Sequence, residues 1–179
     1  MDTVIASFAK LLEYEQRALG AAETDTGAAP QGDWAGLAFR VGDESLVCAT
    51  DRVYESLPIP RITRVPGTKS FILGLANVRG NLITVIDLGC YLGGSPTGMT
   101  GTSRLLSATL RGRPVGLLVD EVFGQRNFMS SDAQTPTIPE SSTFHGLVRK
   151  QHRAGTETWR ELDLAILFSQ PDFLDGSAA

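Results

Sequence analysis

Asp87, Asp120 and Asp163 have the best claim to chemistry in this sequence, since each closes an apolar run, as in Ile83-Thr84-Val85-Ile86-Asp87. A carboxylate so placed could ligate a metal or move a proton. The commoner use of an aspartate at a strand end is to cap the next turn or accept backbone N–H groups. The two histidines, His145 and His152, fall in no metal-ligand or nucleophile spacing. No G-x-S-x-G elbow occurs. Pro66-Gly67-Thr68-Lys69-Ser70 lacks the Gly-Lys adjacency and the upstream glycine of a phosphate-cradling loop. Cys48 and Cys90 have no C-x-x-C spacing and read as two reduced, partly buried thiols. No catalytic set, no metal and no cofactor is expected.

The chemistry that remains is recognition, and it centres on Arg79. Two apolar runs rich in β-branched residues, Phe71 to Ala76 and Leu82 to Leu88, are joined by Asn77-Val78-Arg79-Gly80-Asn81. Asn and Gly tolerate the positive φ of a tight turn, so this stretch predicts a β-hairpin with Arg79 at its tip. A partner could reach both the guanidinium and the bare backbone of Gly80.

Gly74-Leu75-Ala76-Asn77-Val78-Arg79-Gly80, followed by Leu82-Ile83-Thr84-Val85-Ile86-Asp87-Leu88, resembles the central signature of the CheW-like domain family. Thr84 stands where that signature often has proline. The segment Val119-Asp120-Glu121-Val122 adds a second match, and the resemblance spans roughly Gly36 to Phe168. It implies a mainly β fold of two small five-stranded SH3-like β-barrels packed side by side.

The composition is that of an ordinary globular chain, with 42% hydrophobic and 20% charged residues among 179. A net charge of -4 offers no electrostatic footprint for nucleic acid. No apolar run approaches the roughly 20 residues of a membrane-spanning helix. Met1-Asp2 starts no basic n-region, so no signal peptide is expected and the protein reads as cytoplasmic.

Val4, Ile5, Phe8, Leu11, Leu12 and Leu19 recur at helical spacing, which predicts an amphipathic helix and then a linker within residues 1–33. The domain proper is expected over 34–175, with a first barrel at about 36–92 and a second at about 103–168, strand exchange between them being possible. Leu37 to Val41 and Ser45 to Ala49 read as a hairpin, followed by a short helix carrying Val53, Tyr54 and Glu55. An edge strand is expected around Arg61-Ile62-Thr63. After the Gly/Ser/Thr-rich stretch 93–101 the pattern restarts: Asp120 to Phe123 echoes Asp51 to Tyr54, and Phe144 to Val148 echoes Ile72 to Ala76. Two similar units built by a weak internal repeat follow from that order.

The resemblance implies an adaptor that couples chemoreceptors to a CheA-type histidine kinase at receptor arrays. The receptor's cytoplasmic helical tip would dock between the barrels, near Val53, Arg79, Gly116 and Val122, with Glu55 pairing Arg79 to orient it. The kinase's regulatory domain would contact a face near Leu73, Gly74 and Leu82. The N-terminal extension is similar to that of the PilI type, which serves type IV pilus motility. The competing reading is a small barrel binding nucleic acid or a small ligand. That surface needs exposed aromatics among basic residues, and no such cluster stands out.

Overall fold

The computed structural model describes residues 32–176. The N-terminal helix and most of the linker expected within 1–33 lie outside the described residues. Eleven strands follow in order: β1 (Trp34–Val41), β2 (Glu44–Ala49), β3 (Val53–Leu57), β4 (Ile62–Thr63), β5 (Ile72–Val78), β6 (Asn81–Asp87), β7 (Arg104–Leu110), β8 (Arg113–Val119), β9 (Glu121–Phe128), β10 (Val148–Ala154) and β11 (Glu157–Leu162). Three single-turn helices are interspersed: α1 (Leu88–Tyr91), α2 (Leu164–Leu167) and α3 (Pro171–Leu174).

The strands form two sheets, ordered β10-β11-β2-β1-β9 and β3-β7-β8-β6-β5-β4. Neither sheet is built from one half of the chain. β2 of the first half pairs in parallel with β11 of the second, and β8 of the second pairs in parallel with β6 of the first. β9 pairs with β1, and β3 pairs with β7. Replacing each strand by its counterpart in the other half turns one sheet order into the other, β4 alone excepted. The repeat is therefore a reciprocal exchange of strands between the two halves. Local details repeat as well: the Asp87 N–H donates to the Phe71 carbonyl at 2.7 Å, and that of Asp163 to Leu147 at 2.8 Å.

Burial explains the layering. A central core from both sheets contains Phe39, Leu46, Leu106, Leu117 and Val119, closed by Leu88, Leu164, Leu167 and Phe173 from the helices. Each sheet also curls over a minor core of its own. In the six-stranded sheet this is Ala76, Ile83, Val85, Leu105 and Leu118; in the five-stranded sheet it is Ala38, Val47, Phe128 and Trp159. A sheet packed on both faces needs the near-continuous apolar runs seen in β6 and β8. The barrel shape comes from curling and side-chain packing, since the hydrogen-bonded ladders leave each sheet open.

The short helix expected at Val53 to Glu55 is instead the start of β3. Only Thr50–Arg52 makes a 3₁₀ turn. Val53 and Leu57 are half-buried while Tyr54 and Ser56 face water, an alternation of period two that suits a strand paired with β7.

Candidate functional site

The β5–β6 hairpin closes through the two residues Arg79 and Gly80, with Val78 opposite Asn81. Their φ angles are 51° and 85°, the mirror-image turn whose twist matches that of the strands. Glycine takes this conformation freely. Arginine does not, and its presence costs on the order of 1 kcal/mol. The turn is braced by Asn77, whose Oδ1 accepts the Gly80 N–H at 2.8 Å.

From that strained position Arg79 Nη2 reaches Glu55 Oε2 at 2.7 Å. The Arg79 side chain is 73% exposed and that of Glu55 28%. A pair so open to water contributes at most about 1 kcal/mol to stability. Its effect is to hold the guanidinium in one orientation at the tip of a turn. Glu55 does this from β3, a strand at the opposite edge of the sheet. The curl that puts Leu57 and Val78 on one minor core brings the two within reach.

The other residues expected at the receptor side are placed differently. Gly116 is buried in β8, opposite Ser107 on one side and Val85 on the other, and Ser107 lies opposite Glu55. Gly116 and Glu55 thus share one lateral row. A Cβ on Gly116 would meet the Leu105 side chain at 2.8 Å, so the glycine makes room for the minor core. Val53 and Val122 lie on different sheets, each half-buried against the central core.

The three kinase-side residues do not share a face. Leu73 packs on the minor core, and Gly74 is buried against the edge strand β4. A bulge between Ile72 and Gly74 turns both inward. Leu82 points outward, 65% exposed, into a groove of about 500 Å³ lined also by Arg61, Thr63, Val65, Leu75 and Asn77. The reading of a helix at 53–55 hid one exposed residue: Tyr54, at 68%, stands beside Glu55 on the other face of β3. The β-branched and aromatic pair Val53-Tyr54 was the signal for a strand.

The aspartates act as caps. Buried Asp87 accepts from the Cys90 N–H at 3.1 Å, the Thr97 N–H at 2.9 Å and the Thr97 hydroxyl at 2.7 Å. Asp120 accepts the Gly42 N–H at 2.7 Å. Asp163 accepts from Ala165 at 2.8 Å and Ile166 at 3.0 Å, and it pairs with Arg149. Burial alone would raise the Asp163 pKa. The Ile166 N–H, Arg149 and the Ala165 N–H outweigh it and hold the carboxyl below its ordinary value. Burial, with Asp51 adding to it, pushes the Cys48 thiol up to about 12. His152 is buried, stacked on Trp34 at 5.1 Å with Glu161 3.3 Å from Nε2. Among the described residues no three His, Cys, Asp or Glu side chains are grouped to hold a metal ion, and no helix is long and apolar enough to cross a membrane.

The family model for the CheW-like domain matches residues 35–172. Protein PilI of Pseudomonas aeruginosa is 36% identical over 181 residues, covering 98% of each chain. Protein FrzA of Myxococcus xanthus is 31% identical over 119 residues, 66% of this chain and 74% of its own. The crystal structure of the scaffolding protein TtCheW from Thermoanaerobacter tengcongensis superposes with a TM-score of 0.67 at 25% identity, over 77% of this chain and 94% of that one.

Proposed function

The chain belongs to the CheW-like domain family, and from that premise we propose that it is a non-enzymatic cytoplasmic adaptor coupling methyl-accepting chemoreceptors to a CheA-type histidine kinase. Likeness to PilI across the full chain favours type IV pilus motility as the output. The observation that carries the reading is the Arg79–Glu55 pair: a guanidinium kept in a costly turn conformation, with little return in stability, and aimed at solvent. A residue strained in this way is suited to presentation to a partner.

The mechanism is geometric. The adaptor fixes receptor and kinase relative to one another, so that a change of receptor state alters kinase activity by their coupling free energy. The test is titration calorimetry with the regulatory domain of the host's CheA-type kinase, together with receptor-dependent kinase assays, on wild type and Arg79→Glu. Saturable binding to wild type is expected, with Arg79→Glu keeping that binding and losing receptor-dependent activation. Absence of kinase binding by the wild-type chain would overturn the adaptor reading. Loss of kinase binding in Arg79→Glu would move the turn to the kinase side.

A further inference from the structure

Among the described residues, two other than glycine have positive φ, and both are arginines that open an Arg-Gly turn. One is Arg79. The other is Arg111, at φ 48°, followed by Gly112 at 79°. This second turn joins β7 to β8, with Leu110 opposite Arg113. β6 and β8 run parallel, Thr84 beside Val115, so the two turns leave the same end of the six-stranded sheet. An L-residue adopts this conformation only at a cost. Arg79, so placed, meets Glu55. Arg111 meets no acid: neither it nor Arg113 makes an ion pair or a side-chain hydrogen bond among the described residues.

Both unpaired arginines line a groove of about 550 Å³. Strand register explains how it forms. Side chains two apart on a strand share a face, and Val115 faces the central core. Arg113, two residues before it in β8, continues that face beyond the core's edge, where it is exposed. α3 closes the opposite side through Phe173. The groove is thus the open mouth of the central core. Buried Ile86, Val115 and Phe173 floor it, half-buried Leu110 walls it, and exposed Arg111 and Arg113 rim it. Among the described residues no acidic side chain lines it.

We propose that this groove binds a small carboxylate with an apolar body, of the medium-chain fatty acid class. Its carboxylate accepts N–H groups of Arg111 and Arg113, and its chain lies on Ile86, Val115 and Phe173. The volume falls in the range of about 300–1,000 Å³ usual for small-ligand sites, which share this pattern of apolar lining with a few convergent polar groups. The guanidinium fork matches a carboxylate with two parallel N–H bonds. A protein partner fits the site less well. None of the large exposed apolar residues Tyr54, Leu82, Met99, Phe123 and Met129 lines the groove, so no apolar surface there extends the contact beyond it. The assignment does not depend on the adaptor reading.

The test is calorimetry of the full chain with decanoate, and with acetate and decanamide as probes that keep only the charge or only the apolar body. It compares wild type, Arg111→Gly and Arg111→Gln/Arg113→Gln. Saturable one-to-one binding of decanoate is expected, at least tenfold tighter than either partial probe. Affinity should fall several-fold in Arg111→Gly and at least tenfold in the double variant. Arg111→Gly should unfold at no lower denaturant concentration than wild type, because glycine takes the turn conformation freely; this separates loss of the ligand from loss of the fold. Absence of saturable binding by wild type overturns the site. So does acetate or decanamide binding as tightly as decanoate, or a decanoate affinity unchanged in the double variant. An acetylated Leu-Glu peptide that binds more tightly than decanoate overturns the small-molecule assignment in favour of a protein segment.

Discussion

Gly74→Ala tests whether the edge of the six-stranded sheet is held as the packing requires. Gly74 has φ +137°, and a Cβ there would lie 2.1 Å from the Thr63 carbonyl oxygen and 2.9 Å from the Arg64 Cα. Two costs add. The backbone conformation is close to glycine-only and is worth about 1–3 kcal/mol to an L-residue. The contact is with backbone, which cannot rotate away, so β4 must move from β5 and lose the Ile62–Ala76 and Thr63–Leu75 pairing. β4 is a two-residue edge strand and can shift, which caps the total at about 4 kcal/mol. At roughly 2–4 °C per kcal/mol for a domain of this size, the melting temperature should fall by up to about 8–16 °C. Gly80→Ala supplies the reference, because its φ is +85° but nothing lies within 4 Å of its Cβ position; it should cost only about 1 kcal/mol. The assay is equilibrium denaturant unfolding of both variants, with amide exchange on β4 and β5. If Gly74→Ala proves no worse than Gly80→Ala, the close approach of β4 is wrong.

Cys48 is buried with its thiol pushed up to about 12, while Cys90 is half-buried, so a thiol reagent at mildly alkaline pH should label Cys90 first and Cys48 only on unfolding; equal rates in the folded protein would contradict this burial. The depressed pKa of Asp163 contributes stability that is present above the ordinary aspartate value near 3.8 and is lost as pH falls through the lower folded value. Asp163→Asn, which can still cap α2, should therefore flatten the acid limb of the denaturant midpoint against pH, and an unchanged limb would remove Asp163 as its source.

The hairpin at 71–88 was legible because each local signal agreed: β-branched runs, Asn and Gly at the turn, an aspartate to close it. The Arg79–Glu55 pair was legible only through family resemblance, because no periodicity relates residues 24 positions apart on non-adjacent strands. The helix expected at Val53 to Glu55 failed for a physical reason. Thr50-Asp51 is a sound cap signal, but pairing with β7 overrode it after three residues. Leu73, Gly74 and Leu82 looked like one apolar face because the bulge after Ile72 leaves no compositional mark, and one inserted residue reverses which side faces out.

Reciprocal exchange has a mechanical consequence that two sequential barrels would not. Each sheet contains strands of both halves and the sheets share the central core, so neither can unfold while the other stays intact. Both tryptophans, Trp34 on β1 and Trp159 on β11, lie in the five-stranded sheet. Leu105, fully buried in the minor core of the six-stranded sheet, is a lesion site remote from them. Leu105→Ala should cost about 2–5 kcal/mol. In a single cooperative unit, tryptophan fluorescence must then report the same shifted midpoint as far-ultraviolet circular dichroism. A fluorescence transition that stays at the wild-type midpoint would mean two independently folding sheets. An adaptor that acts by fixed geometry needs the cooperative outcome, because two sheets free to loosen separately could not hold what each contacts in a fixed relation.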